Sequence, residues 1–65
     1  MIVEVNEKKV EIDEHTSVAA LLNSLGFPDR GVAVALESAV LPRSAWDKAL
    51  FDGARLEVVT AVQGG

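Results

Sequence analysis

Val18, Leu21, Leu22 and Leu25 stand at i, i+3, i+4 and i+7, the spacing that places four apolar side chains on one stripe of a helix. The segments on either side alternate with a period of two instead. "MIVEVN" puts Met1, Val3 and Val5 on one face and Ile2, Glu4 and Asn6 on the other, which is strand periodicity. "NEKK" reads as a polar turn, and "KVEID" alternates again with Val10 and Ile12 inward. A connection this short makes an antiparallel hairpin, although the Asn-Gly pair of the tightest turns is absent. One helix among strands constrains the chain strongly, because a single helix covers only one face of a sheet. The class is therefore α+β.

The ends of that helix are written in the sequence. Thr16 or Ser17 is expected as N-cap, with Asp13 and Glu14 close to the positive end of the helix dipole. Gly26 supplies the left-handed residue that ends the helix, and Pro28 prevents continuation. Beyond it, "GVAVAL" (31–36) reads as an apolar strand expected to be buried on both faces. "ES" turns into a short strand, residues 39–41, closed by Pro42. Ser44 is expected to cap one turn through "AWDKAL", and "DGA" (52–54) is a turn signal. "RLEVVTAV" is the last strand, with Leu56, Val58 and Thr60 on one side and Glu57, Val59 and Ala61 on the other.

Composition removes several classes of function. The chain has 65 residues, enough for one small and marginally stable core. It has no cysteine, which removes disulfides and thiolate metal sites together. One histidine, His15, makes neither a zinc site nor a nucleophile–base pair, and it reads as a solvated loop residue. A net charge of −4 argues against nucleic acid and against an anionic membrane surface, while permitting a basic protein partner. No basic stretch precedes an apolar run, and no apolar stretch approaches the length of a bilayer span. A cytoplasmic protein is the expectation.

The sequence finishes "TAVQGG". At an average glycine usage of about 7%, two adjacent glycines at a chosen place arise by chance about once in 200 chains. They pack nothing and are costly to order, so they do little for the fold, and their rarity alone does not decide what they are for. Val59, Ala61 and Val62, on or beside the outer face of the last strand, form an apolar strip leading to them and are candidates for partner docking, with Arg43 as a further candidate. That assignment depends on register, since a slip of one residue exchanges the faces. Trp46 is read as covering one end of the small core, and Lys8 and Lys9 as part of a solvated turn.

The element order and the glycine pair look like the β-grasp fold of ubiquitin-like proteins, a mixed sheet of four or five strands with one main helix on one face. "VLPRSAW" (40–46), the Asp-Gly turn, and the ending "VQGG" narrow this further. They resemble the ThiS family of sulfur carriers in thiamine biosynthesis, over essentially the whole chain. Leu41 stands between Val40 and Pro42 where many members run valine directly into proline, and Ala54 stands where an acidic residue often follows Asp-Gly. Neither departure touches the terminus. The small subunit of molybdopterin synthase also ends in Gly-Gly, but it is usually longer and often carries an aromatic-proline stretch that is missing here. A related ubiquitin-like modifier, or an interaction module whose tail never reacts, are the remaining alternatives.

The resemblance implies a domain over residues 1–62 and a flexible reactive tail over 63–65, in which Gln63 and Gly64 present Gly65. The Gly65 carboxylate would be adenylated and then converted to a thiocarboxylate, the sulfur going to thiazole formation. It implies no catalytic residue and no cofactor of the chain's own. ATP would be used by a partner adenylating enzyme, and the other partners would be a thiazole synthase and a sulfur donor such as a cysteine desulfurase.

Overall fold

The computed structural model describes residues 1–61. Val62, Gln63, Gly64 and Gly65, and with them the whole expected reactive tail, lie outside the described residues. Strand β1 (Ile2–Val5) pairs antiparallel with β2 (Lys8–Glu11), so Lys8 and Lys9 belong to a strand and the turn is reduced to Asn6 and Glu7. Helix α1 (Val18–Ser24) follows, then the antiparallel pair β3 (Val32–Leu36) and β4 (Ala39–Leu41). A 3-10 turn (Arg43–Ala45) leads towards the last strand, β5 (Arg55–Thr60). The sheet order is β2-β1-β5-β3-β4, with β5 central, parallel to β1 and antiparallel to β3. This five-stranded mixed sheet with one helix is the ubiquitin-like β-grasp arrangement expected from the sequence.

The helix forms where its signals stand. Ser17 is the N-cap, its hydroxyl accepting from the Ala20 N–H at 3.1 Å. At the other end Gly26 takes φ +84°, and two reversed hydrogen bonds close the last turn. The Gly26 N–H donates to the Asn23 carbonyl at 3.1 Å and the Phe27 N–H to the Leu22 carbonyl at 3.0 Å. That pair is the Schellman arrangement, which satisfies carbonyls the helix leaves open. Val18, Leu21 and Leu22 are buried, but Leu25 is the capping residue and stays 42% exposed. Phe27 packs against the core instead.

Leu21 and Val18 meet Val3, Val5, Val34, Leu56 and Val58 from the sheet, with Trp46, Leu50 and Ala54 closing the end of the core. No polar or charged side chain is buried among the described residues. Two further sequence expectations fail. β3 is not covered on its second face: Ala33 is exposed and Ala35 only half-buried, because the one helix lies on the other side. Ser44 caps nothing; it sits inside the 3-10 turn, whose N-cap position is Pro42.

Both hairpins turn through pairs of non-glycine residues with positive φ: Asn6 and Glu7 (+51° and +69°), Glu37 and Ser38 (+51° and +70°). Consecutive left-handed residues give the turn whose twist suits a two-residue hairpin. Without glycine they are unfavourable, and in each case β5 supplies the compensation. Asn6 accepts from the Val58 N–H at 2.8 Å and donates from its side-chain amide to the Val58 carbonyl at 3.1 Å, so its carboxamide acts as an extra rung. The Glu37 carboxylate accepts from the Arg55 N–H at 2.7 Å while its own N–H donates to the Arg55 carbonyl at 2.9 Å. The central strand is thus gripped by a turn on each side.

Candidate functional site

Alternation along β5 determines what surrounds the approach to residue 62. Leu56 and Val58 face the helix and are buried. Glu57 and Val59 face away, as the sequence predicts, and Ala61 just beyond the strand is exposed. Register then assembles the outer face: Val59 lies opposite Ala33, Glu57 opposite Ala35, and Ala35 opposite Val40. The two alanines keep this face low, so Val59 at 64% and Val40 at 81% exposure stand open to solvent. The result is an apolar strip, contiguous across three strands, at the side of the sheet from which β5 leads to the tail. Val40 was not among the expected docking residues. Its signal was present in "AVLP", because a Leu41 turned toward the core forces its neighbour outward.

The opposite end of the same face is polar. Glu4, Glu7, Glu37, Ser38, Arg55 and Glu57 line an open groove. Arg55 donates from Nε to Glu4 at 3.4 Å, an exposed pair worth little to stability. Four carboxylates against one guanidinium leave this end acidic, and an acidic flank beside an apolar strip suits a partner whose surface is apolar and basic.

Arg43 lies elsewhere. Its guanidinium is 5.1 Å from the centroid of the Trp46 ring and donates to the Asp29 carbonyl. Trp46 is buried in the helix-side core, as expected of it, and donates from its indole nitrogen to the Leu41 carbonyl at 3.2 Å. The structure therefore places Val59, Ala61 and Val40 on one face and leaves Arg43 on the other layer. Ala61 is the last described residue, and its N–H donates to the Gly31 carbonyl at 2.6 Å. Val62, Gln63, Gly64 and Gly65 fall outside the described residues.

His15 is exposed in the turn before the helix. Among the described residues no group of three His, Cys, Asp or Glu side chains is placed to hold a metal ion. No helix among them is long and apolar enough to cross a membrane.

Comparison with known proteins gives a consistent result. The model of the ThiS family matches residues 2–65, nearly the whole chain and its glycine pair included. A crystal structure of the thiamine biosynthesis protein ThiS from Geobacter metallireducens is similar over 100% of both chains, at 32% identity and a TM-score of 0.78. A solution NMR structure of a thiamine biosynthesis protein from the same organism matches at 32% identity and a TM-score of 0.79. It covers 100% of this chain and 88% of the other. No curated protein sequence matches significantly.

Proposed function

The chain belongs to the ThiS family, and from that premise we propose that it is a sulfur carrier of thiamine biosynthesis whose reactive group is the carboxylate of Gly65. The observation that carries this reading is the family match running through Gly64 and Gly65. The exposed strip of Val40, Val59 and Ala61 beside the exit of β5 supports it, since a carrier must be recognised by its body and modified at its end.

At neutral pH a C-terminal carboxyl is ionised, and a carboxylate resists substitution because oxide is a poor leaving group. In the proposed cycle a carboxylate oxygen attacks the α-phosphorus of ATP bound by an adenylating enzyme, expelling pyrophosphate and forming an acyl adenylate. A sulfur nucleophile then attacks the acyl carbon and AMP leaves. With hydrosulfide the product is the thiocarboxylate directly. With a persulfide, such as a cysteine desulfurase provides, a thiol must afterwards cleave the new S–S bond to release it. A thiazole synthase consumes the thiocarboxylate as its sulfur source. The carrier contributes no catalytic group: two residues without Cβ atoms let its end enter a narrow active site.

Pyrophosphate exchange tests the first step. In the presence of the partner adenylating enzyme, the intact chain supports incorporation of labelled pyrophosphate into ATP, and the chain lacking Gly65 does not, while both give the same circular dichroism. Equal exchange by the two chains would remove Gly65 from the reaction. Absence of exchange with an adenylating enzyme active on its own carrier would reduce this chain to an interaction module.

A further inference from the structure

The last hydrogen bond that β5 makes before residue 62 goes to the segment preceding β3. The Ala61 N–H meets the carbonyl of Gly31, a residue at φ +70° with the Ala61 Cβ and carbonyl oxygen each 3.6 Å from where its own Cβ would stand. Gly31 adjoins Val32 of β3, which lies opposite Thr60, so the sheet sets one side of this bond and the other is set by residues 27–31, which belong to no helix or strand. Their first residue is tied to the helix through the Phe27 N–H. At Asp29 the tie is a side chain: Arg43 donates from Nη1 to its carbonyl. The Arg43 guanidinium rests on the face of Trp46, and that ring is itself buried and bonded to the Leu41 carbonyl. An exposed arginine thus spans from a rigid aromatic platform to the backbone two residues before Gly31.

We propose that Arg43 is a positioning residue for the C terminus: by holding Asp29 it fixes the Gly31 carbonyl, and so fixes Ala61 as the point from which residues 62–65 depart. The inference rests on the sulfur-carrier reading in so far as that terminus reacts. Four residues reach at most about 14 Å, so the place of their anchor decides where the carboxylate can be presented. Release of the Gly31–Ala61 bond moves the anchor back along β5 and puts a longer stretch of chain between it and the Gly65 carboxylate, which widens the volume that carboxylate can reach. Fewer encounters then have the in-line geometry that attack on phosphorus requires. Arg43 stands on the helix layer, away from Val59 and Val40, so this role leaves docking on the outer face untouched.

The test uses the full chain carrying Arg43→Met or Arg43→Lys. Methionine retains an apolar stem for Trp46 and removes the donor to Asp29. Amide exchange at Ala61 is expected to rise about tenfold in Arg43→Met, the scale set by a charge-assisted hydrogen bond with an exposed cation–π contact. The Val58 amide should keep its wild-type rate. Adenylation should lose kcat severalfold at constant KM, and Arg43→Lys, which retains a donor, should recover part of both effects. Unchanged exchange at Ala61 would overturn the proposal. So would a raised KM at constant kcat, which would make Arg43 a direct partner contact, or faster exchange through every strand, which would make its role one of general stability. Should the wild-type chain fail to be adenylated, the sulfur-carrier reading falls while the exchange measurement still decides whether Arg43 anchors Ala61.

Discussion

Asn6 shows how much a single side chain contributes here. It occupies a left-handed turn position and exchanges two hydrogen bonds with the backbone of Val58, across 52 positions of sequence. Asn6→Ala removes both and strands the Val58 groups, so it should lower unfolding free energy by about 2 kcal/mol, read from urea denaturation. An unchanged midpoint would show that water replaces the carboxamide without loss. Val59 is the contrasting residue. Exposed on the outer face, it contributes little to folding, so Val59→Glu should alter stability by no more than about 0.5 kcal/mol. The same substitution should raise KM for adenylation, because it puts a charge in the apolar strip. A variant that loses stability but keeps its KM would place Val59 in the fold rather than the docking surface.

At the scale of elements, the helix was the most legible part, because its signals are local: Ser17 before it, the apolar stripe within it, Gly26 after it. Gly26 provides a clean test, since an added Cβ meets nothing within 4 Å and only the backbone is strained. Gly26→Ala should therefore cost about 1 kcal/mol, the penalty of a left-handed conformation, visible as a lowered Tm with an unchanged fold. The hairpin turns were less legible for the opposite reason. Asn6-Glu7 and Glu37-Ser38 lack the glycine that marks such turns, and what holds them is β5, distant in sequence. β3 misled in another way: an apolar run suggests two covered faces, but Ala33 and Ala35 are small enough to lie on an open one. The outer position of Val59 and Ala61 followed from strand alternation alone. The place of Arg43 did not, because its partner Asp29 lies fourteen residues earlier in an irregular segment.

The whole molecule divides its labour between a small core that is purely apolar among the described residues and an outer sheet face graded from acidic to apolar along the way to residue 62. Membership in the ThiS family supports what the surface alone does not indicate, the proposal that the end of the chain is the working part. The lack of cysteine throughout the sequence simplifies the test, since no side chain competes as a site for persulfide attachment. The decisive measurement is intact mass followed by fragmentation after incubation with ATP, the partner adenylating enzyme and a sulfur source. The account predicts a gain equal to sulfur minus oxygen, confined to the fragment that contains Gly65. An unmodified chain beside a demonstrably active partner enzyme, or sulfur found on any other residue, would contradict it.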